Sequence, residues 1–284
     1  MTTRPAVRVA EDLPYATAPD GTRLALDLYV PPRAHHTDPA PAVLYLHGGG
    51  WLTGSRTDHR DRLTGLAEHG VAVASADYRF AHRAPFPAQL DDARAAVRWL
   101  RRQGAAHGLD PGRIGVWGAS AGAHLAAHLA LAPEPPATAV RAMVGYFGTY
   151  DLTPAAAHLR PDPGLPLPDE LRDAVWPAGL PSPPSARLRQ ALLAGVPEPR
   201  LGYDDLAALS PITRVHPDAP PMLLLHGTGD AVTGAGQSLR LAEAVRAAGG
   251  DARTVLIDGA NHEDPVFDTH ATLAVVAEFL TDRL

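Results

Sequence analysis

Short apolar segments alternate with helical patterns along most of this 284-residue chain, and that alternation constrains its fold more than any other feature. The apolar segments end at glycine or polar residues, as buried strands do. They are residues 23–30, 42–46, 71–76, 113–117, 142–147, 221–225 and 253–257. Strands that alternate with helices form a mostly parallel, twisted sheet with helices on both faces. We therefore predict an α/β fold, with residues 1–284 in a single domain.

Apolar residues recur at helical spacing in three of the intervening stretches. They are Leu90, Ala93, Val97 and Leu100 in the first stretch, Leu241, Ala244, Val245 and Ala248 in the second, and Leu273, Val276 and Leu280 in the third. Gly249 follows the second pattern and predicts the C-terminal end of that helix, because glycine readily adopts the left-handed conformation found there.

Residues 151–210 break this alternation, because they hold 11 of the 29 prolines. Proline lacks a backbone N–H donor, and at this density it excludes a central strand or a long helix. Long irregular insertions in compact domains commonly serve function. We predict that this segment forms a lid over a pocket; the alternative is a surface loop without such a role.

Composition excludes several classes of function. The chain has no cysteine, which excludes a thiolate nucleophile and a zinc–thiolate site, and its 25 basic residues are all arginine, which excludes a Schiff-base lysine. A net charge of −6 argues against a nucleic-acid partner. No apolar run is long enough to span a membrane, and residues 1–15 show no secretory signal, so we predict a cytoplasmic protein without a membrane partner. The oligomeric state is not predicted.

The strongest sign of chemistry is the segment Gly118-Ala119-Ser120-Ala121-Gly122. It lies between a predicted strand and a helical run over residues 121–131. A serine at such a turn, between small neighbours, exposes its hydroxyl at the carboxyl edge of the sheet. The N–H groups of the following helix point at the same place, where an oxyanion can form. Ser120 is therefore predicted to be a nucleophile rather than a residue of a plain tight turn.

A second glycine cluster, His47-Gly48-Gly49-Gly50-Trp51, ends an earlier predicted strand. Without side chains, its backbone amides can approach a substrate closely. Acyl transfer needs such donors where the tetrahedral intermediate develops negative charge. The cluster is predicted to contribute to an oxyanion hole, the alternative being a flexible loop.

A serine hydroxyl needs a general base, and two later loops offer one together with its acid. Asp230 follows the strand that ends near residue 225, and His262 follows the strand that ends near residue 257. The order Ser120, Asp230, His262 is the order that a sheet of this kind uses for a catalytic triad. Asp258 is the rival acid, but it lies only four residues before the histidine and has a poor path back to the ring.

From about residue 42 onward, the chain resembles hormone-sensitive-lipase-like carboxylesterases and the related bacterial feruloyl- and acetyl-esterase-like members of the α/β-hydrolase superfamily. The resemblance rests on the segments HGGGW (47–51), DYR (77–79), PFPA (85–88), IGVWGASAG (114–122), SPI (210–212), HGTGD (226–230) and GANH (259–262). It implies an α/β-hydrolase fold and an oxyanion hole formed by the amides of Gly49, Gly50 and Ala121. This sequence has Ala119 where these families commonly have Asp or Glu, and Ala123 where they often have Gly.

Three aromatic residues, Trp51, Tyr150 and Trp176, are candidates to line the substrate pocket, with a role in the core as the alternative. His124 and His128 stand four apart on the predicted nucleophile helix, a spacing that can bind a metal ion. Because neither a glutamate between them nor a third ligand is in view, we predict that they pack on a helix face.

These observations predict a serine hydrolase of short-chain acyl esters that works through an acyl-enzyme, with no metal ion or organic cofactor. Its predicted partner is a small-molecule ester. Amides, formamides, thioesters and lactones stay open as substrates, because attack on each uses the same groups. A non-catalytic binding protein on a hydrolase scaffold is the remaining alternative.

Overall fold

The computed structural model describes residues 6–32, 38–132, 137–155 and 185–284. Its strands are β1 (Arg8–Thr17), β2 (Arg23–Val30), β3 (Ala40–Leu46), β4 (Ala72–Ala76), β5 (Leu109–Ala119), β6 (Met143–Tyr146), β7 (Met222–Gly227) and β8 (Ala252–Ile257). Its helices are α1 (Arg60–Glu68), α2 (Ala88–Gln103), α3 (Ala121–Leu131), α4 (Ala186–Ala194), α5 (Tyr203–Ala208), α6 (Gly236–Ala247) and α7 (His270–Arg283). None of the helices in these ranges is long and apolar enough to cross a membrane.

The strands of the described residues form one sheet in the order β1-β2-β4-β3-β5-β6-β7-β8. Strand β2 runs antiparallel to both of its neighbours, whereas β3 to β8 pair in parallel. The mostly parallel sheet is thus confirmed. Because β5, β7 and β8 run in the same direction, the loops that follow them emerge at the same edge of the sheet.

The core lies on both sides of this sheet, since successive side chains of a strand point to opposite faces. In β3, Leu44 and Leu46 belong to one buried cluster, and Val43 and Tyr45 belong to the other. Apolar residues of α2, α3 and α6 complete the first cluster, and those of α1 and α7 complete the second. Helices therefore cover both faces, as predicted.

The predicted strands coincide with β2 to β8, and the predicted helices with α2, α3, α6 and α7. Gly249 has φ 92° after α6, as its predicted role at the helix end requires. Sequence reasoning did not single out β1, which is an edge strand with mostly exposed residues and two irregularities in its pairing with β2. It also missed α1, whose nine residues are too few for a clear periodic pattern.

The proline-rich segment 151–210 is described only at residues 151–155 and 185–210. These parts contain the short helices α4 and α5 and no strand, which agrees with the expected effect of proline on regular structure. Residues 156–184, with Trp176 among them, lie outside the described residues.

Candidate active site

Ser120 occupies a sharp turn between β5 and α3. Its backbone adopts φ 53° and ψ −119°, a conformation that costs energy for any residue with a side chain. The glycines of the motif permit this turn. A Cβ atom on Gly122 would lie 1.9 Å from the carbonyl oxygen of Leu46, and one on Gly118 would lie 2.2 Å from that of Gly122. The sequence Gly-x-Ser-x-Gly is therefore required by close backbone contacts on both sides of the serine.

The loops after β7 and β8 place an aspartate and a histidine beside this serine. The Nε2 atom of His262 lies 2.9 Å from the Oγ atom of Ser120, and its Nδ1 atom lies 2.7 Å from the Oδ2 atom of Asp230. An ionised carboxylate only accepts hydrogen bonds, so Nδ1 carries the proton and Nε2 presents its lone pair to the serine hydroxyl. The three residues predicted from the sequence thus form one hydrogen-bonded chain.

Asp230 accepts hydrogen bonds at both carboxylate oxygens. The backbone amides of Val232 and Thr233 donate to Oδ1, each at 2.8 Å. Oδ2 faces both His262 and a second histidine, His226, whose Nε2 atom lies 3.2 Å away. Burial raises the pKa of this carboxyl group, but the hydrogen bonds from the two histidines outweigh that effect and hold the pKa well below its ordinary value. Asp230 therefore stays ionised at neutral pH.

The two loops are tied to each other by Asn261. Its Oδ1 atom accepts hydrogen bonds from the backbone amides of Ala231, at 3.0 Å, and His262, at 2.8 Å. The ring of Phe147 packs edge-on against His262 with centroids 4.7 Å apart. Asp258, the rival acid, instead accepts a hydrogen bond from the hydroxyl of Thr228 at 3.0 Å. The histidine ring is thus oriented toward Asp230 from several sides.

The glycine cluster lies directly beside the serine, since a Cβ atom on Gly48 would lie 3.4 Å from the Cβ atom of Ser120. Gly49 and Gly50 adopt φ 110° and φ 60°, in the left-handed region that favours glycine. Among the described residues, none accepts a hydrogen bond from the backbone amides of Gly49, Gly50 or Ala121. These three donors are available to an oxyanion.

A cavity of about 210 Å³ lies in front of these groups. Within the described parts of the chain, its lining consists of Gly49, Gly50, Trp51, Thr53, Ser120, Ala121, Thr149, Leu152, Ala186, Arg189, Gln190, Val232, Thr233, His262 and Glu263. Trp51 lines the cavity as expected. Tyr150 does not, because its side chain is fully buried in the core against Gly145 and Gly148. The expectation for Trp176 falls outside the described residues.

Two histidines of α3 connect the serine's helix to the segment 151–210. The Nε2 atoms of His124 and His128 both lie close to the carbonyl oxygen of Leu209, at 2.7 and 3.0 Å. Trp51 donates its indole N–H to Nδ1 of His124 at 3.2 Å. Burial lowers the pKa of His124 to about 4 and that of His128 well below its ordinary value. Both rings are therefore neutral and pack on the helix face, as predicted.

No group of three or more histidine, aspartate or glutamate side chains among the described residues is arranged to hold a metal ion. The chain has no cysteine that could add a thiolate ligand. The pair His124 and His128 in particular is engaged with a carbonyl oxygen, which accepts both N–H groups and leaves no common site for a cation.

Sequence reasoning missed several residues of the cavity, of which Arg189, Gln190 and Glu263 are charged or polar. Arg189 and Gln190 belong to the short helix α4, and no motif marks them. Glu263 follows His262 directly and pairs with Arg62, a fully buried arginine of α1. Adjacency to the histidine was the one signal that could have found it.

A match to the model of the BD-FAE family extends over residues 26–245, which includes strands β3 to β7, the glycine cluster and the serine turn described above. The chain belongs to the BD-FAE family. The resemblance to esterase-like α/β-hydrolases inferred from the motifs is thereby confirmed.

Several relatives of this BD-FAE chain are named esterases. It is 32% identical to the esterase LipQ of Mycobacterium tuberculosis, across 96% of this chain and 61% of that protein. It is 40% identical to an ethyl acetate hydrolase of Pseudomonas putida, across 48% of this chain and 43% of that protein. The chain thus spans less than two thirds of the length of these curated relatives.

Solved structures show the same fold. Esterase 2 of Thermogutta terrifontis with propionate bound has a TM-score of 0.72 and 27% identity, across 98% of this chain and 94% of that one. A truncated carbohydrate esterase from gut microbiota has a TM-score of 0.79 and 24% identity, across 98% and 97% of the two chains. The α/β-hydrolase fold predicted from the sequence is confirmed.

Proposed function

We propose that this protein is a serine carboxylic-ester hydrolase that acts on short-chain acyl esters. The observation that carries the proposal is the hydrogen-bonded chain from Ser120 through His262 to Asp230, at the wall of a cavity. The same cavity is lined by Gly49, Gly50 and Ala121, whose backbone amides have no acceptor among the described residues. The esterase names of the relatives support the same reaction class.

In the first step, the Oγ atom of Ser120 attacks the ester carbonyl while Nε2 of His262 takes the hydroxyl proton. The charge that develops on the imidazole lies 2.7 Å from the ionised carboxylate of Asp230, which stabilises it. His262 then gives the proton to the departing alcohol. The C–O bond to that alcohol breaks, and the acyl group remains on the serine.

The carbonyl oxygen becomes an oxyanion in the tetrahedral intermediate, and the amides of Gly49, Gly50 and Ala121 are proposed to hold it. Each donor of this kind is worth about a hundredfold to a thousandfold in rate. In the second step, His262 takes a proton from a water molecule, whose oxygen attacks the carbonyl carbon of the acyl-serine. The bond from that carbon to Oγ then breaks, His262 returns the proton to Oγ of Ser120, and the carboxylic acid leaves.

The preference for short acyl groups follows from the size of the cavity. Its volume of about 210 Å³ is below the roughly 300–1,000 Å³ of sites that take drug-sized ligands. The name of the Pseudomonas putida relative refers to ethyl acetate, and esterase 2 of Thermogutta terrifontis was solved with propionate and with butyrate. These ligands are all small.

We further propose that the segment 151–210 is a lid inserted into a single domain of residues 1–284. Support comes from its described part, since Ala186, Arg189 and Gln190 of α4 line the cavity. The carbonyl oxygen of Leu209, near the end of the segment, binds two histidines of α3. A lid held in this way limits the length of substrate that reaches the serine.

Substitution of Ser120 by alanine tests the proposed reaction. We expect Ser120→Ala to lower kcat for p-nitrophenyl acetate by at least a thousandfold, because the attacking oxygen is lost. A fluorophosphonate probe should label the wild-type protein at Ser120 and leave the variant unlabelled, as read by mass spectrometry. Retention of most of the activity in a folded variant would identify a different nucleophile.

A further inference from the structure

The carboxylate of Glu263 is divided between a buried partner and the cavity. Its Oε2 atom lies 3.2 Å from Nη2 of Arg62 and 3.5 Å from Nε2 of His59. Its Oε1 atom lies near the glycine cluster: a Cβ atom on Gly48 would be 3.2 Å from Oε1 and 3.4 Å from the Cβ atom of Ser120. No described residue donates a hydrogen bond to Oε1. One oxygen of Glu263 is thus free beside the nucleophile.

The charge around this carboxylate is not balanced. Arg62 is fully buried and serves two carboxylates, Glu263 and Asp268. It also donates to the hydroxyl of Tyr45 at 3.1 Å. One guanidinium therefore faces two carboxylates, and Oε1 of Glu263 is a carboxylate oxygen to which no described residue donates. Oxygen atoms in that state bind hydroxyl and ammonium groups more strongly than neutral acceptors do.

Glu263 lies on the side of the cavity where the alcohol part of the ester is expected to bind. Under the proposed function, His262 must give its proton to the departing alcohol, so the alcohol part of the ester lies on the side of that histidine. Glu263 is the next residue in the chain and lines the same cavity. A donor on the alcohol part is therefore the group within its reach.

We propose that Glu263 selects esters whose alcohol part carries a hydrogen-bond donor, either a hydroxyl or an ammonium group. This inference rests on the proposed function. The bond to Oε1 compensates such a donor for the water that it loses on entering the cavity. An apolar alcohol part of the same size gains nothing from Glu263.

Two pairs of acetate esters test this preference. 2-Hydroxyethyl acetate and propyl acetate differ by a hydroxyl in place of a methyl group. 2-(Dimethylamino)ethyl acetate, which is cationic at neutral pH, and 3-methylbutyl acetate differ by a charged nitrogen. We measure kcat/KM for each by titration of the released acetic acid. In Glu263→Gln, we expect the ratio of donor ester to apolar ester to fall about fivefold to tenfold in at least one pair.

Asp268→Asn is the matched control. Asp268 pairs with the same arginine and has the same side-chain exposure as Glu263, but it does not line the cavity. We expect this variant to keep the wild-type ratios within about twofold. An equal fall in both variants would trace the effect to Arg62 and overturn the inference, as would unchanged ratios in Glu263→Gln.

The wild-type protein decides the matter if Glu263→Gln does not fold. A higher kcat/KM for the donor ester supports the inference, and equal values within both pairs overturn it. Hydrolysis of p-nitrophenyl acetate, and its loss in Ser120→Ala, tests the proposed function separately. Failure there overturns the proposed function and this inference together, whereas equal ratios in an active protein overturn the inference alone.

Discussion

In each of two pairs of histidines, both rings face one oxygen atom, but the two acceptors differ. His226 and His262 both face the Oδ2 atom of Asp230, at 3.2 and 2.7 Å. His124 and His128 both face the carbonyl oxygen of Leu209, at 2.7 and 3.0 Å. The first acceptor carries a full negative charge, and the second is a neutral peptide oxygen.

Because of this difference, the ring of His262 has a counter-charge for a proton that it accepts, whereas the ring of His124 is neutral at neutral pH. A positive charge on His262 is stabilised by an adjacent carboxylate, whereas a charge on His124 would lie in a buried, apolar place without an opposite charge. The burial that lowers the pKa of His124 makes that ring a neutral connection between α3 and the segment 151–210. The charge on the acceptor oxygen therefore determines whether a protonated ring is stabilised in each pair.

The largest expected effect comes from replacing the charged carboxylate of Asp230 with a neutral amide. In Asp230→Asn, we expect kcat for p-nitrophenyl acetate to fall about 10³- to 10⁴-fold, because the imidazolium loses its counter-charge and the ring is no longer held in the required tautomer. Asp258→Asn, which alters the rival acid, should stay within about twofold of the wild type. Equal losses in the two variants would refute the assignment of Asp230.

His124, in the second pair, should make the free energy of unfolding fall as the solution becomes mildly acidic. A histidine whose pKa is about 4 when folded and near 6.5 when unfolded keeps its full contribution to stability above pH 6.5. As the pH falls toward 4, the unfolded chain binds the proton first, and the free energy of unfolding drops by about 3 kcal/mol for His124 alone. The lowered pKa of Asp230 acts only below this range. Denaturant titrations at a series of pH values measure the drop.

His124→Gln removes that titration. We expect the free energy of unfolding of this variant to depend less on pH between 6.5 and 4, although the variant is less stable at pH 8 because two hydrogen bonds are altered. His270→Gln, which changes an exposed histidine of α7, should keep the wild-type dependence. An unchanged dependence in His124→Gln would show that His124 is not held neutral.

The smallest expected effect concerns His226, the second donor to the charged acceptor. Its Nε2 atom lies 2.7 Å from the carbonyl oxygen of Thr233, which can only accept, so Nε2 carries a proton that it shares with Asp230. We expect His226→Phe to lower kcat about tenfold without a matching change in KM, and His226→Gln to recover most of that loss. A purely structural role would give no recovery of kcat at equal stability.

The strands, the main helices and the three residues of the hydrogen-bonded chain could be predicted because their signals are local. Apolar runs, helical spacing and the glycines at 118 and 122 report what each segment needs in its own neighbourhood. Arg189 and Gln190 could not be found in this way, and for Glu263 the sequence offers only its adjacency to His262. They reach the cavity only because α4 and the loop after β8 are folded against the serine turn.

Tyr150 shows that an aromatic residue type alone does not predict whether a side chain lines the pocket or packs in the core. An aromatic residue just beyond a strand end is as suited to a core as to a pocket, and nothing local distinguishes the two. The ring lies in the core because Gly145 and Gly148 leave room for its hydroxyl. That room is a property of packing between distant parts of the chain.

By itself, the sequence determined strands β2 to β8 and the longer helices, the sharp turn at Ser120, and the order in which serine, acid and base follow one another. Only the tertiary structure decided which acceptor each histidine meets and which carboxylate oxygen is left free beside the serine. The reason is that periodicity and backbone strain act over a few residues. Hydrogen-bond partners and burial depend instead on contacts between residues that are far apart in the chain, such as Ser120 and His262.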